Sequence, residues 1–257
     1  MMLVSLEGWW SEGERCWDEE RSALLQLKPF FNSNNYLSNW VENSECCKWE
    51  TVECDNITGK VIGINLFGAS WDMEEWYLNA SLFSPFQQLH WLDLSNNNIG
   101  GCIENEDYRG LKKLNILSLS GIETTDASVF LQSTLRSFSS LKTLDLSYND
   151  FNGTIITREL HNLTTLEELN LNGSKLHIGF LQTVATCTSL KHLSMRDFEF
   201  NGFSHDHGSI YFRNLESLDM YGTALNNSFS QIFKPIISLK KLILSNCGLS
   251  GTLYDQG

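Results

Sequence analysis

Proline, basic residues and long apolar runs are all scarce in this chain, and each scarcity closes off a class of protein. With 3 prolines and 18 glycines among 257 residues, and 42% of them hydrophobic, neither collagen nor disorder fits. Lys and Arg number 18 against 31 Asp and Glu, a net charge of -13, so the surface repels phosphate backbones and nucleic acid is a poor partner. No stretch approaches the roughly 18 uninterrupted apolar residues of a membrane span. The opening MMLVSLEGWW carries Glu7 and has neither a basic start nor a small-residue cleavage site. It makes a poor signal peptide, and residues 1–14 read as a disordered or truncated leader remnant. Also missing are G-x-S-x-G, H-E-x-x-H, the phosphate-binding G-x-x-x-x-G-K-[ST] and the kinase signatures. The chain reads as a non-enzyme with no catalytic residues, cofactor or metal. Finally, no tryptophan follows Trp91 although 8 precede or occupy that position, so a distinct head meets a different body.

What the body has is a period. The pattern L-x-x-L-x-L starts at Leu89, Leu114, Leu141, Leu166, Leu190, Leu215 and Leu239, at intervals of 25, 27, 25, 24, 25 and 24 residues, with a leading copy, VIGINL, at Val61. Period 2 turns the apolar residues of each L-x-L inward and those between them outward. One copy cannot bury its own apolar face, so the copies stack into a solenoid whose short strands form a parallel sheet. A polar slot follows each strand: Asn97, Ile122, Asn149, Ser174, Phe198, Thr223 and Cys247. An Asn there turns inward and bonds the backbone of the adjacent coil. Ile122 and Phe198 have no such group, so the ladder should be irregular at those two copies.

This register resembles the leucine-rich-repeat family, and the tails NNNIGGCI, NDFNGTII and CGLSGTL look like its plant-specific subclass, with Glu104 and Ile156 standing where that subclass has Pro. The head is similar to the N-terminal cap of plant leucine-rich-repeat receptors through Cys16, DEERSALLQLKPFF, Leu37, Trp40 and CCKWETVEC from Cys46 to Cys54. The resemblance implies an α/β fold: a solenoid with its parallel sheet on the concave face and a helical, disulfide-bonded cap. The cap would occupy residues 15–60, and about eight repeats without a C-terminal cap would occupy 61–257. Independently of the family, Asp18 is placed to cap a helix with Glu19 and Glu20 in its first turn, while Ala23, Leu24, Leu27 and Phe31 share one apolar face. Four head cysteines allow three pairings. The resemblance implies Cys16 with Cys46 and Cys47 with Cys54. Zinc is the rival reading of Cys46, Cys47 and Cys54, and adjacent cysteines suit separate bridges better.

The remaining chemistry is modest. Cys187 and Cys247 fill an apolar slot and a ladder slot, so both read as buried thiols, and Cys102 has no assigned role. His205, Asp206 and His207 form the one metal-like cluster, read as a solvated loop tip. The stretch SWDMEEWYLNAS reads as a convex connection packed by Trp71, Trp76 and Tyr77. Sequons at Asn56, Asn79, Asn152, Asn162, Asn172 and Asn226 fit a glycoprotein of the secretory pathway. Asn172, counted outward on the sheet, is expected to carry a glycan that divides the surface in two.

Function then rests on the outward residues of the strands. The Asp and Ser of L-D-L-S are default filler, while Trp91, Tyr148, His192, Arg196, Tyr221 and Lys241 depart from it with the aromatic and basic types that anchor interfaces. The resemblance implies the extracellular, ligand-binding part of a plant receptor, taking a peptide, elicitor or protein on the concave face. Its full-length form would sit at the plasma membrane and signal in defence through a co-receptor kinase or other parts beyond this chain. The alternatives are a soluble inhibitor similar to polygalacturonase-inhibiting proteins, secreted to the apoplast, and an inactive truncated product.

Overall fold

A computed structural model describes residues 15–103, 111–122, 131, 140–151, 163–201, 209–225, 233 and 235–248. The expectations for the leader at 1–14, for Asn152, Asn162, Asn226 and for His205, Asp206 and His207 lie outside the described residues.

The head folds as helix α1 (Asp18–Leu27), whose acidic first turn suits the positive end of the helix dipole. Its inner face is Ala23, Leu24 and Leu27, continued by Phe31 after the turn through Pro29. The capping role expected of Asp18 is corrected: Trp17 holds the N-cap position without a side-chain bond, and Asp18 is the first helical residue, paired with Arg21 at 2.6 Å. Glu20 shares the buried face, and its carboxylate accepts the Val61 N–H at 3.0 Å, which ties the helix to the first solenoid strand. Trp40 and Trp49, both buried, stack at 5.1 Å between ring centroids.

Nine strands form the main sheet: β1 (Val52–Cys54), β2 (Val61–Asn65), β4 (Trp91–Asp93), β6 (Ile116–Ser118), β7 (Thr143–Asp145), β9 (Glu168–Asn170), β11 (His192–Ser194), β13 (Ser217–Asp219) and β14 (Lys241–Ile243), side by side in that order. The cap strand β1 is antiparallel to β2, and the rest are parallel and in register, so Leu92, Leu117, Leu144, Leu169, Leu193 and Leu218 stack in one buried row. Two smaller parallel sheets follow the ladder residues and were not anticipated. One pairs β3 (Trp76–Asn79) with β5 (Ile99–Ile103), and the other joins β8 (Asp150–Phe151), β10 (Lys175–His177) and β12 (Glu199–Asn201). Helix α2 (Ile178–Val184) closes one coil on the convex side, with Phe180 stacked on Phe151 at 6.0 Å.

Polar groups tie each coil to the one before it. Asn149 donates to the Leu119 carbonyl and accepts the Ile122 N–H, both at 2.8 Å, and Asn97 treats Leu66 and Ser70 alike. Ser174, Thr223 and Cys247 donate to Leu146, Met195 and Met220. Ile122 and Phe198 are buried and offer nothing backward, yet their own N–H groups are taken by Asn149 and Thr223 of the next coil. Where Phe198 leaves Ser174 N–H without a side-chain acceptor, that group turns to Leu171 within its own coil. A second spine, missed in the sequence, precedes each strand: Ser140, Thr165, Ser189 and Ser238 donate hydroxyls, and Asn214 an amide, to backbone carbonyls of the preceding coil.

The turn after each strand adds a third regularity. Gly68, Asn96, Gly121, Tyr148, Gly173, Asp197, Gly222 and Asn246 all take the left-handed conformation, with φ from 49° to 73°, and glycine alternates with another residue throughout. A Cβ on Gly121 would meet Asn96 Oδ1 at 2.2 Å, one on Gly173 the Tyr148 ring at 2.6 Å, and one on Gly222 Asp197 Oδ1 at 2.0 Å. Each non-glycine side chain thus lies over the glycine of the following coil. Gly68 meets nothing within 4 Å. We expect Gly68→Ala to cost only the backbone term of about 1 kcal/mol, and Gly173→Ala and Gly222→Ala to cost more, in denaturant unfolding. Equal losses at all three would show that overlap with the neighbouring coil is not what selects glycine.

The buried Glu20 gives a second test. Removal from water pushes its carboxyl above the ordinary 4.5, opposed by the bond from Val61 and by Lys60. The folded state therefore holds this proton more firmly than the unfolded chain, so the group's contribution is present below pH 4.5 and is lost as pH rises through the raised value. Glu20→Gln keeps an acceptor for Val61 and should flatten that part of the stability profile while leaving the protein at least as stable at pH 7. A sharp loss at pH 7 would mean that the charge itself is needed.

Candidate binding surface

The outward residues of the main sheet form rows that cross the coils. The first row runs Gly63, Trp91, Ile116, Thr143, Glu168, His192, Ser217 and Lys241. The second holds Asn65, Asp93, Asp145, Asn170 and Asp219, and sequence reasoning undervalued it. Each of these accepts, on Oδ1, the N–H two residues further on, at 2.9 to 3.2 Å, so at these five strands the Asp or Asn ends the strand and starts the turn. A carboxamide or carboxylate one residue before an inward leucine was the available signal.

Trp91 is already engaged. Its indole lies over Gly63, where a Cβ would fall 2.1 Å from the ring, and its Nε1 donates to Glu53 of β1 at 2.8 Å. It clamps the cap strand to the first coils. Tyr148 is not on the sheet at all: it stands in the left-handed turn after β7, 71% exposed. The other four candidates gather over β11, β13 and β14. His192 and Lys241 flank Ser217 in one row, and both are exposed. Arg196 reaches across to Asp219, with Nε and Nη2 at 2.7 and 2.6 Å from the same oxygen, while its own N–H is accepted by Asn172. Tyr221 rises beside them, half exposed. Trp91 and His192 are four strand spacings apart, about 19 Å at 4.8 Å each, so the candidates do not converge on one pocket.

Charge alternates along the flank where the strands begin. Lys191 pairs with Glu167 at 2.8 Å and Lys240 with Glu216 at 2.9 Å, and the bonds and charges of these lysines hold both carboxyls below the usual glutamate range. Such exposed pairs add little stability but favour this register over a slipped one.

Among the sequons, Asn56 is exposed, and Asn79 uses its oxygen to bond Ser81. Asn172 sits in the turn after β9, its oxygen accepting from Ser194 Oγ and Arg196 N–H, both at 2.8 Å. In the cap, Cys16 is bonded to Cys46 and Cys47 to Cys54, which leaves no thiolate for the zinc reading. Burial pushes the Cys187 thiol up to about 11, and Cys247 is likewise buried and raised, so neither is a nucleophile at neutral pH. Cys102 lies in β5 opposite Leu78. Trp76 does pack, stacking on Phe30 at 5.3 Å, but Trp71 and Tyr77 stand exposed, contrary to expectation.

Comparison with known proteins agrees with this architecture. Residues 18–55 match the model of the leucine rich repeat N-terminal domain, and residues 88–106 and 140–163 match that of the leucine rich repeat. Receptor-like protein 9b of Arabidopsis thaliana is 37% identical over 177 residues, 67% of this chain and 18% of that protein. Cuscuta receptor 1 of Solanum lycopersicum is 33% identical over 163 residues, 61% of this chain and 12% of that protein. The chain therefore spans less than a fifth of the length of these two relatives. Among solved structures, a plant ice-binding protein shares the fold with a TM-score of 0.53 at 23% identity, covering 89% of this chain and 79% of that one.

Tyr148 supplies the test of this surface. A bulky residue at φ 55° is strained where the other coils use Gly, Asn or Asp. Tyr148→Asn should raise stability by about 1 kcal/mol, read as a higher denaturation midpoint. A loss instead would mean that the ring's contact with Gly173 outweighs the strain.

Proposed function

We propose, for this leucine-rich-repeat chain of the plant receptor-like type, that it forms the N-terminal part of an extracellular receptor and binds a peptide, elicitor or protein on its concave face. The observation that carries the reading is the cluster over β11, β13 and β14. There His192, Tyr221 and Lys241 stand exposed around the Arg196–Asp219 pair, over strands β11 and β13 whose inward Leu193 and Leu218 are buried in the core. Arg196 is held by a nearly buried carboxylate, so its guanidinium is presented in a fixed position, and aromatic and basic anchors in that state lose little freedom on binding. The relatives' names support a receptor, and cap bridges suit an oxidising compartment. Among the described residues no helix is long and apolar enough to cross a membrane. In this reading, anchoring and signalling through a co-receptor kinase fall to other parts of the full-length protein.

The test uses leaf cells expressing the full-length receptor, screened with apoplastic and pathogen peptide fractions for a calcium response. Tyr221→Ala and Lys241→Glu, both at exposed side chains, should raise the half-maximal dose at least tenfold with unchanged accumulation at the cell surface. An unchanged dose in both variants would remove this patch from the contact.

A further inference from the structure

A second surface lies off the concave sheet, along the edge formed by the left-handed turns of the first coils. Phe67, Gly68, Trp71, Asn96, Asn98 and Gly121 line a cavity of about 370 Å³ there, and none of them is charged. Trp71 is 64% exposed and Phe67 48%, so two large aromatic faces border the opening uncovered. The Trp71 indole N–H and the Asn96 carboxamide have no hydrogen-bond partner among the described residues, while Asn98 is fixed by donating to the Met73 carbonyl at 2.9 Å. Further along the same turn column stands Tyr148, in the coil after Gly121, in a strained conformation, with one part of its ring over Gly173 of the following coil and most of the side chain exposed. From Gly68 to Tyr148 is three coil spacings, about 14 Å.

The main chain of this edge decides what can bind. The N–H groups of Gly68, Asn96, Gly121 and Tyr148 are each spent on a carbonyl of the next coil, so an extended peptide finds no unpaired donors here and no charge for its termini. What remains free is the aromatic faces of Trp71 and Phe67, the Trp71 indole N–H and the Asn96 carboxamide. That combination suits a ring with an apolar face of C–H groups and a rim of hydroxyls: the C–H face lies on the aromatic ring, and the hydroxyls meet the amide and the indole N–H. β-linked pyranoses with equatorial substituents have this shape and join into straight ribbons.

We propose that this edge is a carbohydrate-binding site for a neutral, β-linked oligosaccharide, with sugar rings on Trp71 and Phe67 at one end, Tyr148 at the other, and Asn96 between them. The site is separate from the concave cluster over β11 to β14, and its failure would leave the receptor reading untouched. The test is calorimetry of the whole chain, secreted with its disulfides formed, titrated with cellohexaose. Saturable binding is expected, weakened at least tenfold by Trp71→Ala and by Asn96→Ala and a few-fold by Tyr148→Asn. Tyr77→Ala, which removes an exposed aromatic from the convex side, should leave it unchanged, with circular dichroism confirming that each variant is folded. Absence of saturable binding, or equal losses in Tyr77→Ala and Trp71→Ala, would overturn the proposal. Tighter binding of a terminally blocked tryptophan tripeptide than of cellohexaose would also overturn it, and would assign the cavity to peptide side chains.

Discussion

The inward hydrogen bond from each polar ladder side chain to the backbone of the preceding coil is the constraint on which the rest of this molecule depends. When a strand ends and the chain turns into the core, its N–H and carbonyl groups leave the sheet ladder while still out of reach of water. Each such group left unpaired costs about 1–3 kcal/mol. Asn149 answers two of them at once, in Ile122 and Leu119, and Asn97 does the same for Ser70 and Leu66. The hydroxyls of Ser174 and Thr223 likewise answer one N–H and one carbonyl each, in Asn149 and Leu146 and in Phe198 and Met195, while the asparagines have a further amide hydrogen for carbonyls of their own turns.

Once neighbouring coils are fixed at this spacing, the turns are fixed as well. Side chains in the left-handed column project along the stack and fall on the next coil, so a side chain there leaves room only for glycine after it. Asn96 over Gly121 and Asp197 over Gly222 show the rule with short groups, and Tyr148 over Gly173 shows it with a large one. The core rows, both spines, the strand-ending carboxylates and the turn column together consume nearly every position that faces a neighbour. Variation is confined to the outward rows and the exposed edge, where the candidate contacts of both proposed sites lie.

The cap solves the remaining problem of the first coil. Its inner face of Ala23, Leu24, Leu27 and Phe31 covers apolar surface that a further coil would otherwise cover, and β1 pairs antiparallel with β2. Two polar ties hold it in place: Glu20 to the Val61 N–H from inside, and Glu53 to Trp91 from outside. The bridges Cys16–Cys46 and Cys47–Cys54 hold together the segment that carries these groups.

The period of the leucines, the identity of the ladder residues and the apolar face of α1 were legible in the sequence because they are spacings within one short stretch, and burial follows directly from them. The jobs of individual polar residues were not. Trp91 looked like a free anchor until the fold placed Gly63 and Glu53 beneath it, and Trp71 looked like packing until Trp76 took the place against Phe30. The hydroxyls of Ser140, Thr165 and Ser189 and the glycines of the turn column looked like unremarkable polar and flexible positions. Their roles come from partners one coil away, some 24 to 29 residues along the chain and in contact only after stacking. A sequence carries the repeat, but which outward groups are already satisfied, and which remain to bind something else, depends on distances that only the stacked coils create.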